Sequence, residues 1–403
     1  MSDAVAKKMS SWIERPDRDE DFTANPVELF FDLAFVFAFA QLVSHLVHHP
    51  DVEGMLEAAL LFWMLWLPWS QFTWSANAVS AHSRPVQAVM LIATIASIPM
   101  AAAIETALGD GGFLFAGSVS VIMLMGLVMI IMAAPNGSDE QKAAVRYGIP
   151  NLAAMALFVV GAAFDTQSIR VVIWIVAIAM IAYGTYRAGD GDWTIRAGHF
   201  AERHGLILII ALGEIIVAIA VPVLDALSSE DAGLPAETIG ALMFAGLFAA
   251  LLWWAYFDRP QKVFEHRMDS VEGTEKGRMA RDVYTYLHSL IVSGVIVAAA
   301  ALEEITLHPS DELPFEFRVM LLIGLAMFFG GIEFAAMRAF HVVPPERAIA
   351  VAVLAVVLLV DLSMKGILLL AIVDLIILAT LVLEGRRLEQ PGDTDRRGAA
   401  AAS

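Results

Sequence analysis

The 403-residue sequence contains no cysteine. It therefore offers no disulfide bond, no thiolate metal site and no thiol nucleophile. Charged residues are scarce, at 17% of the chain, and only 25 lysines and arginines stand against 43 acids. The resulting net charge of −18 argues against nucleic acid as a partner, because phosphates need a basic face. No Walker, GxSxG, GxGxxG or kinase-type motif occurs, so neither a nucleotide or other cofactor nor hydrolase chemistry is predicted.

Apolar residues are abundant instead. They make up 59% of the chain, and the mean hydropathy is +0.70. Soluble domains are roughly 45–50% apolar. The composition therefore predicts an all-α polytopic membrane protein whose main partner is the lipid bilayer. The polar first 25 residues show no apolar core of a signal peptide, so we expect the first helix to act as the insertion signal.

Long apolar runs recur along the whole sequence. A run of about 20 apolar residues can cross a bilayer, and the sequence predicts twelve such spans. They are 26–49, 53–78, 85–108, 111–133, 143–164, 168–187, 204–224, 236–257, 282–302, 316–338, 346–362 and 366–386. The last two are short and closely joined, so a re-entrant hairpin is the alternative to two crossings there.

The basic residues are distributed unevenly between the predicted loops. If the N-terminus is cytoplasmic, every lysine and arginine except Arg170, Arg318 and Lys365 falls in a cytoplasmic segment. Such asymmetry is typical of an integral membrane protein with a correct span count. It predicts that both termini lie in the cytoplasm.

The two halves of the chain resemble each other weakly. The tryptophan-rich second and eighth spans match, and AAAIETAL at 101–108 is echoed by AAALEEITL at 299–307. We therefore predict two parallel six-helix repeats, with a site expected between them as in transporters built from repeats. The predicted segments are a cytoplasmic N-terminal segment 1–25, a first half 26–188, an interfacial linker 189–203, a second half 204–386 and a disordered tail 387–403.

Several acids lie inside predicted spans, where an ionised side chain costs about 3 kcal/mol or more. Asp32 is in the first third of the first span, and Glu28, four residues earlier, shares its helix face. Glu214 is near the middle of the seventh span, and Asp374 is deep in the last. Each is interpreted either as part of an ion or proton pathway or as a structural acid bonded to a neighbouring helix. Gly213, beside Glu214, predicts the close approach of another helix.

Other polar residues could complete such a pathway. Gln41 and His45 are four residues apart, on a face of the first helix turned roughly opposite to Asp32. His288 in the ninth span is a candidate partner for a buried acid. The histidine spacings could place two ligands on one face, but no third ligand or HExxH motif is identifiable, so no metal site is predicted. The tryptophans around Pro68 are interpreted as core and membrane-interface residues, with a ligand passage as the alternative.

Two stretches of the sequence resemble the bacterial low temperature requirement A (LtrA) family. They are NPVELFFDLAFVFAFAQLVSHL at 25–46 and ERHGLILIIALGEIIVAIA at 202–220, and the resemblance extends from about Asn25 to Glu384. The matching positions are Glu28, Phe31, Asp32, Gln41, Glu202, Arg203, Gly205, Gly213 and Glu214. His204 departs from the pattern, since an aromatic residue such as phenylalanine is expected there. The resemblance implies a multipass protein of the bacterial cytoplasmic membrane connected with growth in the cold, but it implies no mechanism.

The leading hypothesis is a secondary transporter coupled to protons or another cation. Asp32 and Glu214 would be the coupling acids, with Glu214 exchanging an ion near the midplane as the halves rock. One alternative is a cation channel with a pore between the halves, since Phe30–Asp32 is placed like a short motif of lysosomal-type potassium channels. The other is a non-transporting membrane enzyme or scaffold. The sequence does not identify the substrate, and a homo-oligomer is one alternative for the state of assembly.

Overall fold

The computed structural model describes residues 23–189, 193–228, 235–360 and 363–388. Three predicted segments lie outside these residues wholly or in part. They are most of the N-terminal segment 1–25, most of the tail 387–403 and part of the linker 189–203. The helices are α1 Pro26–His48, α2 Val52–Ala78, α3 Arg84–Ala102, α4 Gly112–Ala133, α5 Asp139–Ala162, α6 Gln167–Ala188, α7 Ala197–Ser228, α8 Ala236–Phe257, α9 Pro260–Asp269, α10 Gly273–Met279, a π-helical turn Ala280–Leu287, α11 His288–Leu307, α12 Phe315–Phe340, α13 Pro345–Leu359 and α14 Gly366–Leu388.

The described residues confirm the all-α polytopic membrane fold. Eleven helical segments among them are long and apolar enough to cross a membrane. The predicted span 346–362 corresponds to α13, which has only 15 residues. At about 1.5 Å per residue it is about 22 Å long, which is shorter than the hydrocarbon core of a bilayer.

Contacts at its two ends show that α13 lies alongside α12 and α14 over its whole length. Near its start, Arg347 binds Glu384, which lies close to the end of α14. Beyond its last residue, the carbonyl of Val360 accepts a hydrogen bond from Arg318 at the start of α12, at 3.4 Å. Helices α12 and α14 both run antiparallel to α13, and one contact lies at the start of α12 whereas the other lies near the end of α14. They favour two crossings of the bundle over a re-entrant hairpin.

The largest departure from the predicted boundaries is at α7, which begins at Ala197 rather than at 204. The prediction assigned 189–203 to an interfacial linker, because Trp193, Ile195 and Phe200 could place this stretch along the membrane surface. In the structure the three basic side chains of this stretch, Arg196, His199 and Arg203, are buried rather than exposed to water. The polar residues are therefore the first two turns of a buried helix.

Most helix pairings recur in both halves, although α2 packs extensively against α4 whereas α8 and α12 make no comparable contact. The first helix of each half, α1 or α7, packs against the second and third helices of its own half. The third then packs against the fourth, the fourth against the fifth and the fifth against the sixth. Between the halves, α1 contacts α7 and α11. We call the end of the bundle where α1 begins the inner end, and the opposite end the outer end.

A buried arginine at the outer end explains one exception to the distribution of basic residues. Arg170 is only 4% exposed and binds carbonyl groups rather than a carboxylate. Its guanidinium donates to the carbonyls of Ala107 (3.2 Å), Gly109 (2.6 Å), Ala162 (3.3 Å) and Phe164 (2.9 Å). These carbonyls follow α3 and close α5, where helix ends carry partial negative charge. The side chain therefore fastens α6 to two helix ends.

We expect Arg170→Met to destabilise the fold by about 1–3 kcal/mol, because buried carbonyls would lose their donors. Thermal unfolding of the purified protein in detergent measures the loss. Arg146→Met is the matched control, since Arg146 is exposed on α5 and surface changes stay within about 0.5 kcal/mol. Equal melting temperatures for the two variants would contradict this structural role.

Candidate functional site

Four charged side chains meet between α1 and α7 near the inner end. They are Glu28 and Asp32 of α1 and His199 and Arg203 of α7, which we call the charge cluster. The Nε2 atom of His199 lies 2.9 Å from Glu28 Oε2, and Arg203 Nη1 lies 3.1 Å from the same oxygen. Arg203 Nη2 donates to Asp32 Oδ1 at 2.7 Å. All four side chains are 0% exposed.

Local sequence spacing builds this geometry. Glu28 and Asp32 are four residues apart on α1, and His199 and Arg203 are four apart on α7, so each pair occupies one face of its helix. Asn25 caps α1, and the Glu28 side chain accepts from the Asn25 backbone N–H at 3.3 Å, which fixes the carboxylate at the helix start. The two matched faces then bring opposite charges together.

Charge balance in this cluster depends on one proton. Two carboxylates face one guanidinium, so one further proton, on His199 or on either carboxylate, would make the group neutral. Buried charges are tolerated when they are paired and hydrogen-bonded. Trp69 of α2 supplies a further donor to Asp32 Oδ1 at 2.8 Å, whereas Asp32 Oδ2 has no hydrogen-bond partner. The sequence identified the two acids, but it did not identify His199 as their partner.

A shell of aromatic rings surrounds His204 beside the charge cluster. The ring centroids of Trp69, Phe200, Tyr284 and His288 lie 4.8–5.2 Å from that of His204. The Nδ1 atom of His204 is 2.8 Å from the carbonyl of Phe200, to which it donates. The position is therefore an aromatic packing site, which accounts for the aromatic residue expected there from the family pattern.

His288, predicted as a partner for a buried acid, binds other groups. Its Nδ1 donates to the carbonyl of Val283 at 2.9 Å, and its Nε2 accepts from the Tyr256 hydroxyl at 2.5 Å. The carbonyl of Val283 also accepts the His288 backbone N–H, five residues along, as a π-helix requires. Turns of this kind are common at functional sites. The π-helical turn was not predicted from the sequence.

The π-helical turn joins the two halves. Trp66 of α2 donates through Nε1 to the carbonyl of Thr285 at 2.7 Å, and Trp74 donates to the Thr285 hydroxyl at 2.9 Å. Two indoles of the first half are thus anchored on one residue of the second half. The π-helical turn and α2 are therefore held together by two hydrogen bonds from tryptophan side chains.

Glu214 lies apart from the charge cluster. It follows Arg203 by eleven residues on α7, which is about 16 Å along the helix. Its side chain is 1% exposed, and its Oε2 atom has no hydrogen-bond partner. Its carboxylate interacts electrostatically with that of Glu303 of α11, another acid. Glu303 also interacts electrostatically with His48, which lies at the end of α1. Both acids therefore lie toward the outer half of the bundle.

The remaining predicted site residues are dispersed. Asp374 of α14 is 2% exposed, and neither carboxylate oxygen has a hydrogen-bond partner. Gln41 is half-buried on α1. His45 is buried, and its Nε2 lies 3.3 Å from Glu57 Oε2 at the start of α2, on the outer end. The structure therefore brings Glu28 and Asp32 together but keeps the other predicted residues separate from them.

Comparison with known proteins agrees with the resemblance in the sequence. The family model for the bacterial low temperature requirement A protein (LtrA) matches residues 23–382. An uncharacterized protein of Rhizobium meliloti (strain 1021) is 27% identical over 361 residues, covering 87% of this chain and 86% of the relative. No solved structure matches the chain. With a family match over nearly its whole length and eleven apolar segments able to cross a membrane, the chain belongs to the bacterial low temperature requirement A family.

Proposed function

We propose that the protein is a secondary transporter coupled to protons or another cation. Glu214 exchanges the coupling ion, and the charge cluster holds the inner ends of the two halves together. The observation that carries this proposal is the pair of acids Glu214 and Glu303. Among the described residues no lysine or arginine forms an ion pair with either acid.

Two carboxylates that interact with each other and pair with no lysine or arginine among the described residues bind a proton or a cation more readily than one. An uncompensated charge inside a membrane protein is costly, and such acids mark ion and proton pathways. Glu303 is half-buried whereas Glu214 is buried, so the pair leads from the outer side toward the middle of the bundle. This gradient of exposure supports Glu214 as the inner, ion-exchanging member.

The repeat hypothesis supports a role for the charge cluster as well. In two parallel repeats, α1 and α7 are equivalent helices, and transporters of this construction bind substrates and ions between the repeats. The pairings that recur in both halves support this construction. The charge cluster joins α1 directly to α7, so rocking of the halves would have to break and remake the bonds of Arg203.

Ion flux in proteoliposomes tests the proposal. The lumen carries a pH-sensitive dye, and proton, sodium and potassium gradients are imposed in turn. We expect saturable flux with the wild type and only the background of protein-free vesicles with Glu214→Gln, because an amide can neither release a proton nor bind a cation as a carboxylate does. Glu316→Gln is the control, since Glu316 is an exposed acid at the start of α12.

Three results would overturn the proposal. Flux that does not saturate would indicate a cation channel. Equal flux in wild type and Glu214→Gln would remove Glu214 from the pathway. No flux from monodisperse wild type under any gradient would favour the non-transporting enzyme or scaffold.

A further inference from the structure

An aspartate deep in α14 has no polar partner. Asp374 is eight residues beyond Gly366, where α14 begins, which places it about 12 Å along the helix. Its side chain is only 2% exposed. Among the described residues, neither of its carboxylate oxygens has a hydrogen-bond partner. The proposed ion exchange at Glu214 leaves this buried carboxyl group unused.

Asp374 faces other helices and not the lipid. Leu370 and Ile377, which lie four residues before it and three residues after it, are fully buried. Residues at these spacings share one face of a helix, so Asp374 belongs to the packed face of α14. Leu375, the next residue, is 64% exposed on the outside of the bundle. Because α14 packs against α8 and α13 and also contacts α11, these three helices form the surroundings of Asp374.

The helices around Asp374 carry no charge over most of their length. Helix α8 has no lysine, arginine, histidine or acid over residues 238–257, and α13 has none over 348–359. The same is true of residues 289–302 of α11 and of residues 375–383 of α14 itself. Among the described residues, no charged side chain interacts with Asp374. Its surroundings are therefore apolar.

The titratable side chains of these helices lie toward the helix ends. They are Glu237 and Tyr256 of α8, His288, Glu303 and Glu304 of α11, Glu346 and Arg347 of α13, Glu384, Arg386 and Arg387 of α14, and Lys365 just before α14. Two of these cations are paired with acids on neighbouring elements. Lys365 Nζ lies 3.0 Å from Glu237 Oε1, and Arg347 Nε lies 3.0 Å from Glu384 Oε2. Neither cation neutralises Asp374.

Such surroundings favour the neutral acid. A carboxylate with neither a hydrogen-bond donor nor a counter-charge is costly inside a membrane protein, whereas a protonated carboxyl group carries no charge. We propose that Asp374 binds one proton in this conformation and is a proton site separate from Glu214.

A role for this proton in transport rests on the proposed function, whereas its binding does not. Movement of α14 away from α8 would admit water to the packed face of α14, and Asp374 would then release its proton. A transport cycle that includes this movement would carry one proton at Asp374 in addition to the ion at Glu214.

The pH dependence of unfolding of the full-length protein in detergent tests the site. The usual pKa of an aspartate is about 3.9, so Asp374 of the unfolded chain has no proton above about pH 5. Folding would therefore take up one proton, and the stability that this proton contributes is lost as the pH rises. Between about pH 5 and 7, we expect the unfolding constant of the wild type to rise about tenfold per pH unit relative to that of Asp374→Asn.

Two features of the design isolate Asp374. The other buried acids are present in both proteins and cancel in the comparison, and the amide of Asp374→Asn has nearly the shape of the neutral acid, so the variant is expected to fold. Glu316→Gln is the matched control, since Glu316 is an exposed acid at the start of α12 and its loss should leave the pH dependence of the wild type unchanged. Parallel pH dependences of wild type and Asp374→Asn would overturn the proposal.

Chemical modification of the folded wild type provides an independent test. Dicyclohexylcarbodiimide is an apolar reagent that reacts with protonated carboxyl groups. The acid transfers its proton to one nitrogen of the reagent and its oxygen bonds to the central carbon, after which the acyl group migrates to nitrogen as a stable N-acylurea. At about pH 7 we expect peptide mass spectrometry to detect label on Asp374 and none on Glu316, because an exposed glutamate is ionised at this pH. Label at about pH 5 but not at about pH 7, or protection from label by sodium ions, would contradict a bound proton.

The stability and flux results separate the two proposals. Glu214→Gln should still take label at Asp374, because the two acids lie on different helices and bind their ions independently. A proton at Asp374 without any ion flux would retain this site and reject the transporter. Saturable ion flux with parallel pH dependences of unfolding would retain the transporter and reject this site.

Discussion

Replacing Arg203 with methionine is expected to lower the free energy of unfolding by about 3–5 kcal/mol. The change removes the one guanidinium that binds both Glu28 and Asp32, and all of these side chains are fully buried. Two carboxylates would then remain inside the bundle with His199 and Trp69 as their nearest polar side-chain partners. Thermal and denaturant unfolding in detergent measures the loss.

Two further variants identify the cause. Arg259→Met removes a surface arginine that is 40% exposed, and it should leave stability within about 0.5 kcal/mol of the wild type. The triple variant Glu28→Gln, Asp32→Asn and Arg203→Met should recover most of the loss, because a neutral interior can replace a buried ion pair at little cost. If the triple variant were no more stable than Arg203→Met, uncompensated charge would not be the reason for the loss.

The stabilities of Arg203→Met and of the triple variant also test the proposed function of the charge cluster. A buried ion pair is often no more stabilising than apolar side chains of similar volume. Stability alone therefore gives little reason to keep four charged side chains between α1 and α7. A contact that opens and closes gives a better reason for charged side chains. When the two helices separate, water can solvate the charged groups, whereas it cannot solvate apolar groups favourably. Recovered stability without recovered ion flux in the triple variant is what the transporter proposal predicts.

Helix positions could largely be predicted from the sequence. The first predicted spans, 26–49 and 53–78, agree closely with α1 and α2. Polar N-cap residues, Asn25 and Asp51, mark where these helices begin, and each helix contains a long apolar run. Boundaries of this kind depend on local composition, so one sequence is enough to find them.

Pairing between distant residues could not be predicted in the same way. Arg203 lies 171 residues from Asp32, and the sequence shows no sign that they meet. The signal in retrospect is the shared spacing of four, with acids on α1 and basic residues on α7. His199 and Arg203 were instead assigned to an interfacial linker, because a buried polar face and a solvated one look alike in a sequence.

The close helix approach predicted at Gly213 is wrong. Gly213 was expected to allow close approach, yet a Cβ atom there would meet no heavy atom within 4 Å. The close approach lies at Gly294 and Gly324, where α11 crosses α12. A glycine in an apolar helix indicates that a contact can form, but only the packing of the other helices decides which glycine forms it.

The second large effect is expected at this crossing, from Gly294→Ala. The added Cβ would lie 2.5 Å from the carbonyl oxygen of Gly324 and 2.7 Å from the backbone nitrogen of Phe328. Both contacts are backbone atoms, which cannot turn aside as a side chain can, so α11 and α12 must separate. Overpacking of this kind costs about 3 kcal/mol when backbone atoms must move. This cost exceeds the gain of about 1 kcal/mol from replacing a glycine inside a helix.

Gly246→Ala on α8 is the matched comparison, because a Cβ atom there would meet nothing within 4 Å. It should raise the melting temperature slightly or leave it unchanged, since only helix propensity changes. The two alanine variants are therefore expected to shift stability in opposite directions, although each adds the same methyl group to an apolar helix. Equal shifts would mean that α11 and α12 can separate without loss. The close crossing would then be a consequence of packing elsewhere and not a contact that holds the second half together.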